Sequence, residues 1–188
     1  YALASGLVFY ALKKTPPEAI SKTAVMGAVF FVSSLIHFKV GITSVHLTMT
    51  GLAGILLGPS SVLAIVAGLF FQAVMFQHGG LSTLGVNALV FSLAALFVHS
   101  GFRISMGLSG GRKKTLSLLA GFFSGLGVLA GAILAMAFIN LSGREFAGVA
   151  YLFSASHLVL SLVEGLASAL VVYQVCRVKP QMIPGWNG

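Results

Sequence analysis

The chain has 188 residues, 57% apolar and only 7% charged, with a net charge of +8. Soluble domains carry about a quarter charged residues, so this composition excludes a water-coated globule and puts most side chains in lipid. The basic balance does not point to nucleic acid, because Lys and Arg fall between apolar runs, where membrane topology uses them. One cysteine, Cys176, excludes an internal disulfide and a Cys-rich metal site, and reads as a packing residue.

Seven apolar segments follow in chain order. "YALASGLVFYAL", Tyr1 to Leu12, lacks Met and is apolar from its first residue. It reads as the second half of a helix whose true start lies upstream, with no cleavable signal pattern. The second segment is Thr23 to Phe38 and the third, a short one, Leu47 to Leu57. Ser61 to Phe76, Leu84 to Ile104, Thr115 to Asn140 and Gly148 to Val178 complete the set. The charge-free run Leu116 to Asn140 suffices to cross a hydrocarbon core of about 30 Å at about 1.5 Å per residue. Barrel strands would alternate over roughly ten residues, and "SVLAIVAGLFFQAVMF" does not. The expectation is an all-α membrane protein: one transmembrane domain over residues 1–188, a bundle of about seven helices with the first truncated.

The connections set an orientation. Lys13, Lys14, Lys22, Arg103, Arg112, Lys113, Lys114, Arg177 and Lys179 fall where odd-numbered segments end; Lys39 and Arg144 fall on the other side. Nine against two predicts the N-terminus outside and the C-terminus in the cytoplasm. "GLSGGRKKT" lacks the spacing of a nucleotide-binding loop, so no ATP hydrolysis is expected of this chain. Gly121 with Gly125, and Gly127 with Gly131, are small-residue pairs that allow close helix packing or a partner's docking.

Polar residues in lipid are costly unless paired or facing a cavity. "TSVHLTMTG", Thr43 to Gly51, surrounds His46 with hydroxyls. The stretch from Gly41 to Gly51 reads as a loop folded in from the outer side, because irregular backbone survives at depth only in protein or along a cavity. His46 is then a ligand for Ni, Co, Cu or Zn, or a loop histidine bonded to a hydroxyl; the residues alone leave both open. Ser44 and Thr48 flank it as pocket residues. His78, in "QHGGLSTLGVN", is a helix-end residue or a neighbour of the first loop. Asn87 is a candidate to orient a ligand. His37 and His99, near helix ends, are expected to snorkel or hydrogen-bond locally. His157 and Glu164, seven apart, can share a helix face as a structural seam or as part of a pathway.

The motifs "SVHL", "GLAGILLGP" and "QAVMFQHGGLSTLGVN", between Gly41 and Ser92, are distinctive together. They resemble the CbiM/NikM family, the substrate-binding membrane components of energy-coupling-factor transporters for cobalt and nickel. The resemblance implies transport, not catalysis, with Ni(II) or Co(II) as cargo and no catalytic cofactor. It implies residence in the cytoplasmic membrane of a prokaryote. Its partners would be a transmembrane coupling subunit, two cytoplasmic ATPase subunits and, as an option, a small accessory membrane subunit. It further implies that His46 joins three nitrogens of a Met-His N-terminus upstream of Tyr1, in a planar set. "TSVHL" is nearer the nickel-type members than the "SSSHPTG" form of the cobalt type, which favours nickel. Other readings are a vitamin-binding component, for which no aromatic outer pocket is evident, and an intramembrane enzyme, for which Glu164 is the only acid in a span. A membrane scaffold would leave "SVHL" unexplained.

Overall fold

The computed structural model describes residues 1–40, 43–77, 79–142 and 147–186. Seven α-helices lie among them: α1 (Ala2–Lys14), α2 (Ile20–Ser33), α3 (Thr50–Leu57), α4 (Ser61–Phe76), α5 (Gly80–Ser105), α6 (Lys113–Ser142) and α7 (Ala147–Val178). Each predicted segment therefore meets a helix, with one departure. The second segment ends early: α2 stops at Ser33, and the chain becomes a two-stranded antiparallel hairpin, β1 (His37–Val40) and β2 (Thr43–His46). The β-branched residues Val40, Thr43 and Val45 favour that extended backbone, and within the expected loop Thr43–His46 is a strand, a short link follows and α3 begins at Thr50. The fold is a helical bundle with a hairpin at one end, rather than purely helical.

Four stretches are long and apolar enough to cross a bilayer: Thr50–Phe76, Gly80–Ser109, Lys113–Leu141 and Ala155–Val178. The first is not one straight helix. An added Cβ at Gly54 would meet Ala95, and one at Gly58 would meet His99, so α3 runs parallel to α5. Leu69 and Gln72 of α4 instead share a cavity with Leu84 and Asn87 near the start of α5, so α4 runs antiparallel to it. The chain turns back at Gly58, whose φ of 58° and ψ of −132° suit glycine, followed by a 3-10 turn through Gly58–Ser60.

Glycine faces set the remaining packing. Cβ atoms added at Gly121 and Gly165 would each lie under 3.0 Å from the other's carbonyl oxygen, so α6 and α7 touch backbone to backbone. Gly127 meets Val98 and Gly131 meets Ala94 on α5. The two small-residue pairs thus serve two different neighbours. The Lys- and Arg-rich connections gather at one end of the bundle. There Lys22 Nζ donates to the carbonyls of Leu56 and Met182, at 2.6 and 2.5 Å. Thr15 donates to Ser60 Oγ at 2.8 Å. Cys176 is fully buried in the core beneath them, with Leu116, Val172 and Trp186. The hairpin lies at the opposite end, whereas Arg144 is outside the described residues.

Candidate functional site

The hairpin delivers His46 into the bundle. Val45, Leu47 and Thr48 are buried, and Val45 and Leu47 pack on Val128 of α6 and Leu160 of α7. His46 is half-buried between two cavities. The inner one, about 90 Å³, is also lined by Thr48, Thr50 and His157. The outer one, about 160 Å³, brings His46 together with Gln72, Gly79, Asn87 and Phe153. Such spaces suit an ion or a few waters, and each is smaller than the roughly 300 Å³ at which small-molecule pockets begin.

The segment after His46 is fastened by Glu164. Its Oε1 accepts from Thr48 N at 2.5 Å and from the Thr48 hydroxyl at 2.9 Å. Thr50 Oγ1 donates onward to Thr48 Oγ1 at 2.9 Å. The carboxyl is fully buried, and a buried carboxyl persists only when such donors satisfy it. Met49 is held at φ 52° and ψ 25°, a left-handed conformation costly for a non-glycine residue and maintained here by the bonds on either side. It turns the extended link into α3. The α3 N-terminus then fits against α6 because Gly51 leaves room for Ser124, whose hydroxyl bonds Ser168 at 2.7 Å.

The expected residues are brought together unevenly. Thr48 and Asn87 line the cavities with His46; Asn87 makes a long bond of 3.4 Å to Thr83. Ser44 is described only through its backbone in β2, and His78 lies outside the described residues. His157 and Glu164 are not bonded to each other. Glu164 takes Thr48, while His157 Nδ1 bonds the Phe153 carbonyl at 2.6 Å with its ring against Phe153. His99 sits against Gly58 at the basic end, away from the site. His37 does bond locally, Nδ1 to the Leu35 carbonyl at 2.9 Å, but it also stands directly across the hairpin from His46. That pairing was missed, as was Gln72, 2% exposed in the cavity wall. The sequence signal was "FKVGITSV", with β-branched residues on both sides of a glycine. Among the described residues, no cluster of three or more His, Cys, Asp or Glu side chains is assembled.

The comparison that decides the family is a profile described as the cobalt uptake substrate-specific transmembrane region, CbiM, which matches residues 1–182. The chain belongs to the CbiM family. A putative metal transport protein of Haemophilus influenzae is 31% identical, the match covering 92% of this chain and 84% of that protein. A putative cobalt transport protein CbiM of Methanococcus voltae is 35% identical over 90% and 78% of the two chains. A putative fused nickel transport protein NikMN of Archaeoglobus fulgidus is 27% identical over 97% and 62%. The crystal structure of a truncated transition metal transporter superposes with a TM-score of 0.78 at 21% identity, covering 94% of this chain and 89% of the other, and so shares the fold. This CbiM-family chain is a multi-pass membrane transport protein and not an enzyme.

Proposed function

We propose that this chain is the substrate-capture component of an energy-coupling-factor importer for Ni(II) or Co(II), with residues 1–188 forming a single transmembrane domain of seven membrane helices. The observation that carries the reading is the position of His46. It sits half-buried at the end opposite the basic connections, on two small cavities, in a segment fastened by Glu164. The basic end faces the cytoplasm, so the N-terminus and the His46 pocket face outward. The membrane is the cytoplasmic membrane of a prokaryote.

His46 supplies one ring nitrogen to the cargo, and Thr48 holds its backbone in place. Ser44, Asn87 and His78 belong to the pocket's surroundings. A planar site needs further nitrogen donors beside His46; Tyr1 lies against Gly85 and its hydroxyl bonds the Leu81 carbonyl, beside the outer cavity. A planar nitrogen set favours Ni(II) and accepts Co(II), and it discriminates against Mg and Ca, which want oxygen. Nickel is the preferred cargo on the wording "TSVHL".

Two cytoplasmic subunits hydrolyse ATP, and a transmembrane coupling subunit that meets the basic connections transmits the resulting conformational change. The test is accumulation of radioactive nickel or cobalt in cells lacking other uptake. Uptake is expected only when coupling and ATPase subunits are co-expressed, and His46→Ala is expected to remove it. Full accumulation by this chain with no ATPase partner would contradict the proposal.

A further inference from the structure

We propose that His37 and His46 together form a two-imidazole capture site for a divalent first-row transition-metal ion on the hairpin, an inference that rests on reading His46 as a metal ligand. The two residues are register partners in the antiparallel pair. Directly opposed residues project from one face with Cβ atoms about 4.5–5.5 Å apart. The ring centroids are 5.7 Å apart and the planes are inclined at 56°.

That spacing is what one ion would require. With metal–nitrogen bonds of about 2.0–2.1 Å, two imidazoles on one ion hold their centres roughly 4.5–6.4 Å apart, as the angle at the metal opens from a right angle to a line. The hairpin holds 5.7 Å, within that range.

The tautomer of His37 also suits the role. A carbonyl oxygen only accepts, so the 2.9 Å bond to Leu35 places the proton on Nδ1, the tautomer in which Nε2 is the ring's acceptor nitrogen. Ligating histidines are commonly fixed in this way, with the second ring nitrogen bonded to a carbonyl. Exposure gives the pair a direction. His37 is exposed, and His46 is half-buried on the cavities. An incoming ion meets His37 first, is chelated with His46, and passes inward with His46 as the ligand common to both positions. Chelation by two rings on one rigid hairpin raises the effective concentration of the second ring.

The test uses the full-length protein in detergent, with Cu(II) for pulsed electron paramagnetic resonance and Ni(II) for calorimetry. His37→Ala is expected to remove one imidazole from the Cu(II) spectrum and to weaken Ni(II) binding by about tenfold or more. An unchanged imidazole count and affinity in His37→Ala, while His46→Ala loses binding, overturns the pair and leaves the proposed function standing. Unchanged binding in both variants overturns both. A second measurement needs no substitution: diethyl pyrocarbonate labelling of His37 in the wild type, read by mass spectrometry. Saturating Ni(II) is expected to slow it, and an unchanged rate would overturn the pair.

Discussion

Removing the Glu164 carboxyl strands two donors at once: the Thr48 amide and the Thr48 hydroxyl. Each buried donor left without an acceptor costs about 1–3 kcal/mol. Glu164→Ala is therefore expected to lower the unfolding temperature in detergent and also to weaken metal binding, because the link from His46 to α3 loses its anchor. Glu164→Gln keeps one acceptor oxygen and is expected to lose less of both. A wild-type unfolding temperature in the Ala variant would contradict the anchoring role. His157 shares the inner cavity with His46, but its Nδ1 is committed to Phe153. In His157→Ala, the fold is expected to survive, because that bond lies within one helix; circular dichroism checks it.

At the scale of elements, the α3–α4 reversal depends on one glycine. Gly58 has φ 58°, and a Cβ there would lie 2.9 Å from His99 Cε1. Gly58→Ala combines a disfavoured backbone with that clash and is expected to destabilise by about 1–3 kcal/mol, read as a drop in thermal stability in detergent. An unshifted transition would mean that the turn tolerates a side chain. The helices were legible because membrane-spanning helices need uninterrupted apolar runs, and Gly-Pro-Ser marked the reversal. The hairpin was not. Leu35, Ile36 and Phe38 continue the apolar character of α2, so hydropathy ran the second helix to Phe38 although it ends at Ser33. His46 was legible as a candidate because a histidine among hydroxyls is out of place in lipid. Its neighbours were hidden: Glu164 is 116 residues from Thr48, and such a contact leaves no trace in local spacing. His37 looked like a helix-end residue, and only the strand register sets it opposite His46.

Across the whole molecule, the alternating helices put nine Lys and Arg at one end and the hairpin at the other. A cysteine at Gly111 is expected to be labelled only from the cytoplasm and one at Ser142 only from outside, following the excess of basic residues on the inner side. Labelling of both from one face would contradict the seven-helix topology. The central claim is that a divalent metal is captured in the outward pocket through His46. It is tested most directly by calorimetric titration of Ni(II) and Co(II) into the detergent-purified full-length protein, beside the same protein carrying His46→Ala. The loss of a direct ligand is expected to exceed the effect of losing an outer partner, so binding should weaken by about 100-fold or more, with the variant still folded. Equal affinity in the two proteins would contradict the claim.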